Sequence, residues 1–371
     1  MELDQVKLEW HDATAETEPA SQIPDGEVVL TAGTAVPLKP DARILTDFGG
    51  APNATFGQLI GDNLAANAIH QRMQSIGPTW RSYERFLHYY LTEQSDNFES
   101  TGRHLFPDWK TPTSVQARHI IALQPALILL LPLIPGSRQA GLFTSVLDRI
   151  EGVTDCGPYV MWAKDAERSG WAAKAQKSLF EQLRAYISVW ESWSPGLVVR
   201  YTDPANAHKL DLLRVYRDDF EVLRDAYVQI YETCCRTLPF AIALMNAHAR
   251  GNPNSFGPIP PRILETNARA TAPSNISAFE KMPNAHKILW CREWPGWDNN
   301  LPEILSNKLR NSIGHASAHY DIVSGVVESD SYSLSYLNFA ARFLDLFHPI
   351  LALLQLLKST RLIAADAAAT G

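Results

Sequence analysis

One apolar pattern near the middle of the chain limits the possible folds more than any other feature. Large apolar side chains recur alternately three and four residues apart along one stretch: Leu213, Tyr216, Phe220, Leu223, Tyr227, Ile230 and Cys234. This spacing places them along one face of an α-helix, and such a face must pack against other helices. The pattern predicts a helix over about 207–237, either at the centre of a bundle or along the seam of a dimer.

The first half of the chain predicts two parts. Short alternating segments between Gly, Pro and Asp residues predict a β-containing N-terminal segment over 1–54. Helical periodicity then predicts a helical middle domain of unknown role over 55–196. We expect helices over about 59–73, 80–92, 137–151 and 158–193, with a break at Gly77-Pro78 and a polar linker over 94–113.

A C-terminal helical domain is predicted over 197–371, because Ser194-Pro195-Gly196 is punctuation strong enough to separate two domains. Near its end we expect a short helix over 304–313 that Gly314 terminates, a strand over 320–328 and a return strand from Tyr332. Ser333 or Ser335 can then cap a long final helix. The fold class is therefore mainly α, with a C-terminal helical bundle and a small β-hairpin.

Net charge and cysteine usage exclude several functions. The net charge of −7 argues against a protein that binds nucleic acid regardless of sequence, since such binding needs a broad basic face. It is compatible with a nuclease that has a small, local cationic site. The four cysteines lack metal-ligand spacing and predict reduced, buried thiols. We expect no metal and no cofactor.

Two segments bear on the cellular location. The acidic N-terminus predicts no export signal. The apolar run over 120–134 contains Gln124, Pro125 and Pro132 and is shorter than the roughly 20 residues that span a bilayer. A buried core element is favoured over a membrane segment, so we expect a cytoplasmic protein with no membrane partner.

The sequence LRNSIGH contains the residues best suited to chemistry. Cleavage of RNA without a metal needs a base, an acid and a cation that stabilises the charge on phosphorus. His315 suits the proton transfers because its ordinary pKa lies near neutrality. Arg310 suits the phosphate because its planar guanidinium binds two oxygens at once. Asn311 and His315 are four residues apart and share a helical face if the helix persists.

An Arg-x4–6-His spacing alone is a weak signal, because it occurs twice more in this chain. Arg81 with His88 and Arg342 with His348 both lie in amphipathic helices with aromatic neighbours, where structural roles are favoured. Arg310 differs because an amide side chain follows it and small residues precede the histidine.

The run LRNSIGHASAHYD, followed by a hairpin and a long apolar helix, resembles the HEPN superfamily (higher eukaryotes and prokaryotes nucleotide-binding domains). Arg310, Asn311 and His315 match its R-N-x-x-x-H motif over a resemblance that covers about 300–360. The resemblance implies a metal-independent endoribonuclease, acting as a toxin or antiphage-defence effector. It also implies a homodimer that pairs two motifs in one cleft, with RNA as substrate and an antitoxin or defence-system protein as a further partner.

Three features of the sequence admit more than one interpretation. The competing interpretation is a non-catalytic dimerisation or ligand-binding module, in which Arg310 pairs with a carboxylate such as Asp321. His319, Tyr320 and Lys308 are further candidates for substrate contacts, although His319 also fits a solvent-facing strand start. The tryptophans of the segment WCREWPGW form either a packed core or an aromatic platform for a base.

Overall fold

The chain folds into a helical assembly with one small sheet. The structure is a computed structural model that describes residues 63–106, 108–112, 115–130, 140–212, 219–298, 300–314, 318–321, 324–329 and 332–369. The described residues are mainly helical with a three-stranded antiparallel sheet, which confirms the mainly α prediction. The β-type segments predicted over 1–54 lie outside the described residues.

Sixteen α-helices and three strands are assigned in the described part of the chain. The helices of its first half are α1 Asn63–Leu91, α2 Ser95–Leu105, α3 Val115–Leu130, α4 Ala140–Glu151, α5 Gly157–Arg168, α6 Trp171–Ser188, α7 Trp190–Trp193 and α8 Gly196–Tyr201. A 3₁₀ helix, Pro204–Leu212, follows. The remaining elements are α9 Phe220–Arg250, α10 Pro261–Thr266, α11 Ile276–Glu280, α12 Asn284–Arg292, α13 Asn300–Ile304, α14 Asn307–Ile313, β1 His319–Asp321, β2 Val326–Ser329, β3 Tyr332–Ser335, α15 Tyr336–Asp345 and α16 Phe347–Ala369.

Helix α9 is the central helix that the apolar spacing predicts. The described seam positions are all buried inside this one chain: Phe220, Leu223, Tyr227, Ile230 and Cys234. Helix α9 packs against α6, α12 and α16, and Phe220 and Tyr227 contact Phe339 of α15. The dimer-seam alternative is therefore wrong for these positions. The helix begins later than predicted and continues to Arg250, because buried neighbours such as Leu238 and Phe240 offset the cost of Pro239 within it.

Helix α16 is the second central element and packs against α4, α5, α6 and α9. Together with α15 it forms the one described stretch, Tyr336–Asp366, that is long and apolar enough to cross a membrane by length and composition. However, 83% of its most apolar window is buried in the protein. This is the burial pattern of a core helix in a soluble protein.

The predicted single final helix is two helices, α15 and α16, which meet at Leu346. Its start was predicted well: Ser335 is the N-cap, and its hydroxyl accepts a hydrogen bond from the backbone N–H of Asn338 at 3.2 Å. The apolar positions of both helices face the core, which explains why the break leaves packing continuous.

The sheet has the strand order β1-β2-β3, with both pairs antiparallel. Tyr320 pairs with Val327, and Val327 pairs with Leu334. The single strand predicted over 320–328 is wrong, since the chain turns between β1 and β2. Gly325 has a φ of 71°, a left-handed conformation that glycine adopts at little cost.

Three predicted features of the first half are also wrong. Helix α1 continues through Gly77-Pro78, with Ile76 and Trp80 both buried on either side. The predicted linker over 94–113 contains α2, because Phe98 is buried and its ring stacks on Phe86 at 4.3 Å between centroids. The helix predicted over 158–193 is divided into α5, α6 and α7. In all three places, contacts with distant residues outweigh local sequence signals.

The described helices on both sides of position 196 share one core. Residues from α1, from α3–α8 and from α9–α16 belong to a single cluster of buried side chains. At Gly196, α8 approaches α15 so closely that an added Cβ would lie 2.5 Å from the carbonyl carbon of Ala340. Glycine is therefore required here for close packing, in addition to its effect on the local turn.

Two apolar segments of uncertain role are core elements. In α3 the buried residues are Ala122, Leu123, Ala126 and Leu130; positions 131–134 of the apolar run lie outside the described residues. Trp290, Trp294 and Trp297 are all buried, and Trp297 Nε1 donates to Ser145 Oγ at 2.7 Å. The packed-core interpretation of this tryptophan cluster is confirmed, and the aromatic-platform alternative is wrong.

Candidate active site

Helix α14 has one buried face and one exposed face, and this determines where the predicted catalytic residues lie. Ser306 caps the helix by accepting a hydrogen bond from the N–H of Leu309 at 3.2 Å. Leu309 and Ile313 are buried against the core, so Lys308 and Asn311 are exposed on the opposite face. The helix predicted from 304 therefore begins at Asn307, after the cap.

The helix ends at Ile313, as Gly314 predicts. The backbone N–H of Gly314 donates to the carbonyl oxygen of Arg310 at 2.9 Å, which closes the last turn. An added Cβ on Gly314 would lie 3.8 Å from Arg310 Nη1. The guanidinium group of Arg310 therefore lies beside the residue that directly precedes His315.

Arg310 is held by a carboxylate that the sequence interpretation missed. Its Nη2 lies 2.6 Å from Glu232 Oε1, with the two side chains 35% and 32% exposed. Nη1 donates to Asn311 Oδ1 at 3.4 Å. The predicted alternative partner, Asp321, instead accepts a hydrogen bond on Oδ2 from the N–H of Ser324 at 3.2 Å, in the turn after β1.

Glu232 belongs to a polar cluster between α9, α12 and α14. Its Oε2 accepts a hydrogen bond from Asn284 Nδ2 at 2.8 Å, and Lys287 Nζ lies 3.5 Å from Asn284 Oδ1. Burial lowers the pKa of Lys287. The cluster therefore places two cations, Arg310 and Lys287, around one carboxylate.

The neighbouring thiol of Cys235 is buried. Burial, the largest cause, raises its pKa to about 12. Burial also raises the pKa values of Cys234 and Cys291 well above their ordinary range. These three residues fit the predicted buried, reduced thiols, whereas Cys156 is only partly buried and its Sγ donates to the carbonyl oxygen of Gly251 at 3.3 Å.

The other candidate residues have different surroundings. His319 is exposed at the start of β1, as its structural alternative predicts. Tyr320 is partly buried, and its ring lies 4.8 Å from that of Tyr336. His315 lies outside the described residues, so the structure brings together Arg310, Asn311 and Glu232 at the chain position that leads into it.

The two other Arg…His spacings differ from this arrangement. Arg81 and His88 are both exposed on α1. Arg342 is exposed on α15, but His348 is buried at the start of α16, and burial with the nearby Arg200 lowers its pKa to about 4. A structural role for His348 agrees with the sequence interpretation.

Neither a metal site nor similarity to a known protein identifies the function. Among the described residues, no group of three or more His, Cys, Asp or Glu side chains is placed to hold a metal ion. No protein-family model, curated protein or solved structure matched the chain.

Proposed function

We propose that this protein is a cytoplasmic, metal-independent endoribonuclease with a HEPN-type C-terminal domain, acting as a toxin or antiphage-defence effector. One observation carries the proposal. The guanidinium group of Arg310 lies partly exposed at the end of α14, against Asn311 and beside the residue before His315. A guanidinium group and an amide side chain close to a histidine in the sequence are groups suited to phosphate recognition.

The proposed reaction is attack of the ribose 2′-hydroxyl on the adjacent phosphorus. His315 acts in the proton transfers, Arg310 stabilises the charge on the phosphate oxygens and Asn311 orients the histidine or a phosphate oxygen. The bond to the 5′-oxygen breaks, which leaves a 2′,3′-cyclic phosphate and a 5′-hydroxyl. His319, Tyr320 and Lys308 are proposed contacts for the RNA.

The chemistry favours a homodimer. A single imidazole cannot serve as base and acid in one concerted step, so we propose that two copies of His315 face each other across one cleft. An antitoxin or defence-system protein is the proposed partner that restrains the activity. RNA is selected by shape or position, because the chain as a whole is acidic.

A second function is favoured by the Arg310–Glu232 ion pair. A non-catalytic dimerisation or ligand-binding module would use its arginine in a structural pair, and Glu232 occupies that role at 2.6 Å. The pair is one-third exposed on each side, so it contributes at most about 1 kcal/mol. A phosphate can therefore compete for the guanidinium group, and the ion pair alone does not exclude catalysis.

The test is RNA cleavage in excess EDTA. Purified protein should produce fragments with 5′-hydroxyl and 2′,3′-cyclic phosphate ends. His315→Ala should lower the rate by roughly 100-fold or more, because a general acid or base contributes on that order. His208→Ala, which changes an exposed histidine of the 3₁₀ helix, is the matched control and should retain activity. Equal rates for the wild type and His315→Ala would refute the nuclease, and intact RNA with a stable dimer would favour the module.

A further inference from the structure

A cavity lined mainly by helices of the first half of the chain is suited to a charged ligand. It has a volume of about 550 Å³ and lies between the end of α1, the start of α2, and helices α3, α6 and α16. This volume is within the range of about 300–1,000 Å³ that is typical of small-molecule sites. None of Arg310, Asn311 and Glu232 lines it.

The cavity is cationic although the chain is acidic. Its lining includes four basic side chains, Arg118, Lys174, Lys177 and Arg361, and one carboxylate, that of Glu93. Arg361 is also paired with Glu167, so the excess positive charge comes from Arg118, Lys174 and Lys177. Lys174 and Lys177 are three residues apart on α6, so they project from neighbouring positions of one helical face, and both are exposed. A positive cavity in a chain of net charge −7 is a local feature that selects an anion.

The floor of the cavity is built from fixed hydrogen-bond donors. Arg361 donates to both carboxylate oxygens of Glu167, at 2.8–3.1 Å, and to Gln176 Oε1 at 2.8 Å. These bonds use Nε and one N–H of each terminal nitrogen, which leaves two guanidinium N–H groups for a ligand. Gln176 Nε2 donates to the hydroxyl of Tyr90 at 2.8 Å, so the Tyr90 hydroxyl retains its own proton to donate.

This floor is rigid because it is anchored below. Gln176 also bonds to Nδ1 of His119, which is buried. Burial lowers the pKa of His119 to about 3, so its ring is neutral near pH 7 and adds no charge beneath the cavity. The orientation of Gln176, and through it that of Arg361, is therefore set before any ligand enters.

An aromatic wall completes the lining. Phe98 and Phe180 are buried, and the ring of Tyr90 meets that of Phe180 edge to face at 5.0 Å. Tyr89 is partly buried at the rim. Phe98 and Phe180 are covered by protein, so the partly buried Tyr89 and Tyr90 are the rings of this wall that a base can contact. Stacking on such a ring suits any base, since every base has a π-face.

The acidic residue at the rim has an unusual backbone. Glu93 has a φ of 57°, the only positive φ among the described non-glycine residues. This conformation belongs to the turn that ends α1, in which the N–H of Gln94 donates to the carbonyl oxygen of Tyr89 at 3.0 Å. A carboxylate in this position can accept hydrogen bonds from the hydroxyls of a sugar, which an ammonium or guanidinium group cannot do.

We propose that this cavity binds a nucleoside phosphate. The phosphates contact Lys174, Lys177 and Arg118, the sugar hydroxyls donate to Glu93, and the base packs against the tyrosines at the end of α1. The ligand class follows from the combination, since an inorganic anion would not use the aromatic wall and an uncharged nucleoside would not use the lysines. None of the described residues of the proposed ribonuclease site lines the cavity, so nucleotide binding here does not depend on that activity.

Binding measured by isothermal titration calorimetry tests the proposal on the full chain. The probes are ATP, GTP, CTP and UTP, with inorganic tripolyphosphate and the four unphosphorylated nucleosides for comparison. At least one nucleotide should bind roughly tenfold more tightly than tripolyphosphate and than its own nucleoside, because both base and phosphates contribute. No binding of any nucleotide, or tripolyphosphate binding as tightly as the nucleotides, would overturn the proposal.

Two double variants locate the site. Lys174→Glu with Lys177→Glu should weaken nucleotide binding at least about tenfold, since it replaces attraction by repulsion at the phosphates. Lys110→Glu with Lys281→Glu makes the same charge change at two exposed lysines outside the cavity and should bind within about twofold of the wild type. All four positions are exposed, so the fold should be preserved, as circular dichroism can verify. Unchanged nucleotide binding in the first variant would contradict the assignment, whether or not the protein cleaves RNA.

Discussion

Arg310 and Arg342 each begin an Arg-x4–6-His spacing, yet the two spacings lie in different surroundings. Arg310 is near the end of a seven-residue helix, and the chain leaves the helix before His315 is reached. Arg342 is in α15, and the chain enters the buried helix α16 before His348 is reached. The same spacing therefore ends at a helix terminus in one place and inside the core in the other.

The difference shows that the position at which a helix ends decides whether the histidine of such a spacing can take part in catalysis. His348 is 7% exposed, and its Nε2 is buried without a hydrogen-bond partner among the described residues. Burial and Arg200 lower its pKa to about 4, so near neutral pH the ring is uncharged and cannot act as an imidazolium acid. The small residue Gly314, by contrast, ends α14 at an exposed position directly before His315.

The largest expected effect separates the two arginines. Arg310→Ala should lower the rate of RNA cleavage by roughly 100-fold or more, because it removes the cation that stabilises charge on the phosphate. Arg342→Ala should keep the rate within about threefold of the wild type, since the proposed site does not include it. The measurement is single-turnover cleavage of one labelled RNA by both variants.

Both arginines are on the protein surface or partly exposed, so folding provides a fair control. The two variants should have the same helical circular dichroism and closely similar melting temperatures. If Arg342→Ala loses cleavage and Arg310→Ala does not, the active residues lie at α15 and the assignment to α14 is wrong.

The structural features that were predictable from the sequence are those fixed by neighbouring residues in the chain. Gly314 at the end of α14 and Ser335 at the start of α15 act through backbone groups within four residues. The apolar spacing in α9 and the burial of Leu309 and Ile313 follow from the helical period. Such features need no knowledge of the rest of the fold.

The parts that it missed depend on contacts between distant segments. Glu232 is on α9 and Arg310 is on α14, and only the packing of these helices brings them together. Helix α2 was missed because its buried face consists of little more than Phe98, which is stabilised by rings from α1 and by Trp109. The cavity between α1 and α6 was missed for the same reason, since its cations come from three helices.

A second prediction concerns the loss of stability at low pH that the buried His348 should cause. The folded-state pKa of His348, about 4, lies below the ordinary value of 6.5. Between these values the unfolded chain binds a proton that the folded chain does not, so stability falls as the pH falls. This group should cost about 2 kcal/mol at about pH 5 relative to about pH 7.5.

His348→Gln should therefore remove about 2 kcal/mol of the acid sensitivity, measured by urea unfolding at about pH 7.5 and about pH 5. Burial raises the pKa of Asp345 to about 6 despite the nearby Arg200, so this group makes the fold more stable as the pH falls through the same range. Its contribution is the same in the wild type and in His348→Gln. His119 has the same sign as His348 and is also unchanged. His88→Gln, at an exposed position, should behave as the wild type. The same acid sensitivity in His348→Gln and the wild type would show that His348 is accessible to protons in the fold.

The smallest expected effect decides what Glu232 does for Arg310. Glu232→Gln removes an ion pair between two partly exposed side chains, so stability should fall by less than about 1 kcal/mol. If phosphate competes with Glu232 for the guanidinium group, the variant should bind RNA a few-fold more tightly while His315 still cleaves it. Glu221→Gln changes an exposed carboxylate on the same helix, which pairs with Arg224, and should leave RNA affinity unaltered. If Glu232→Gln lowers stability but leaves RNA affinity unchanged, the ion pair has a structural role only. Arg310 would then, like Arg342, have no part in RNA binding.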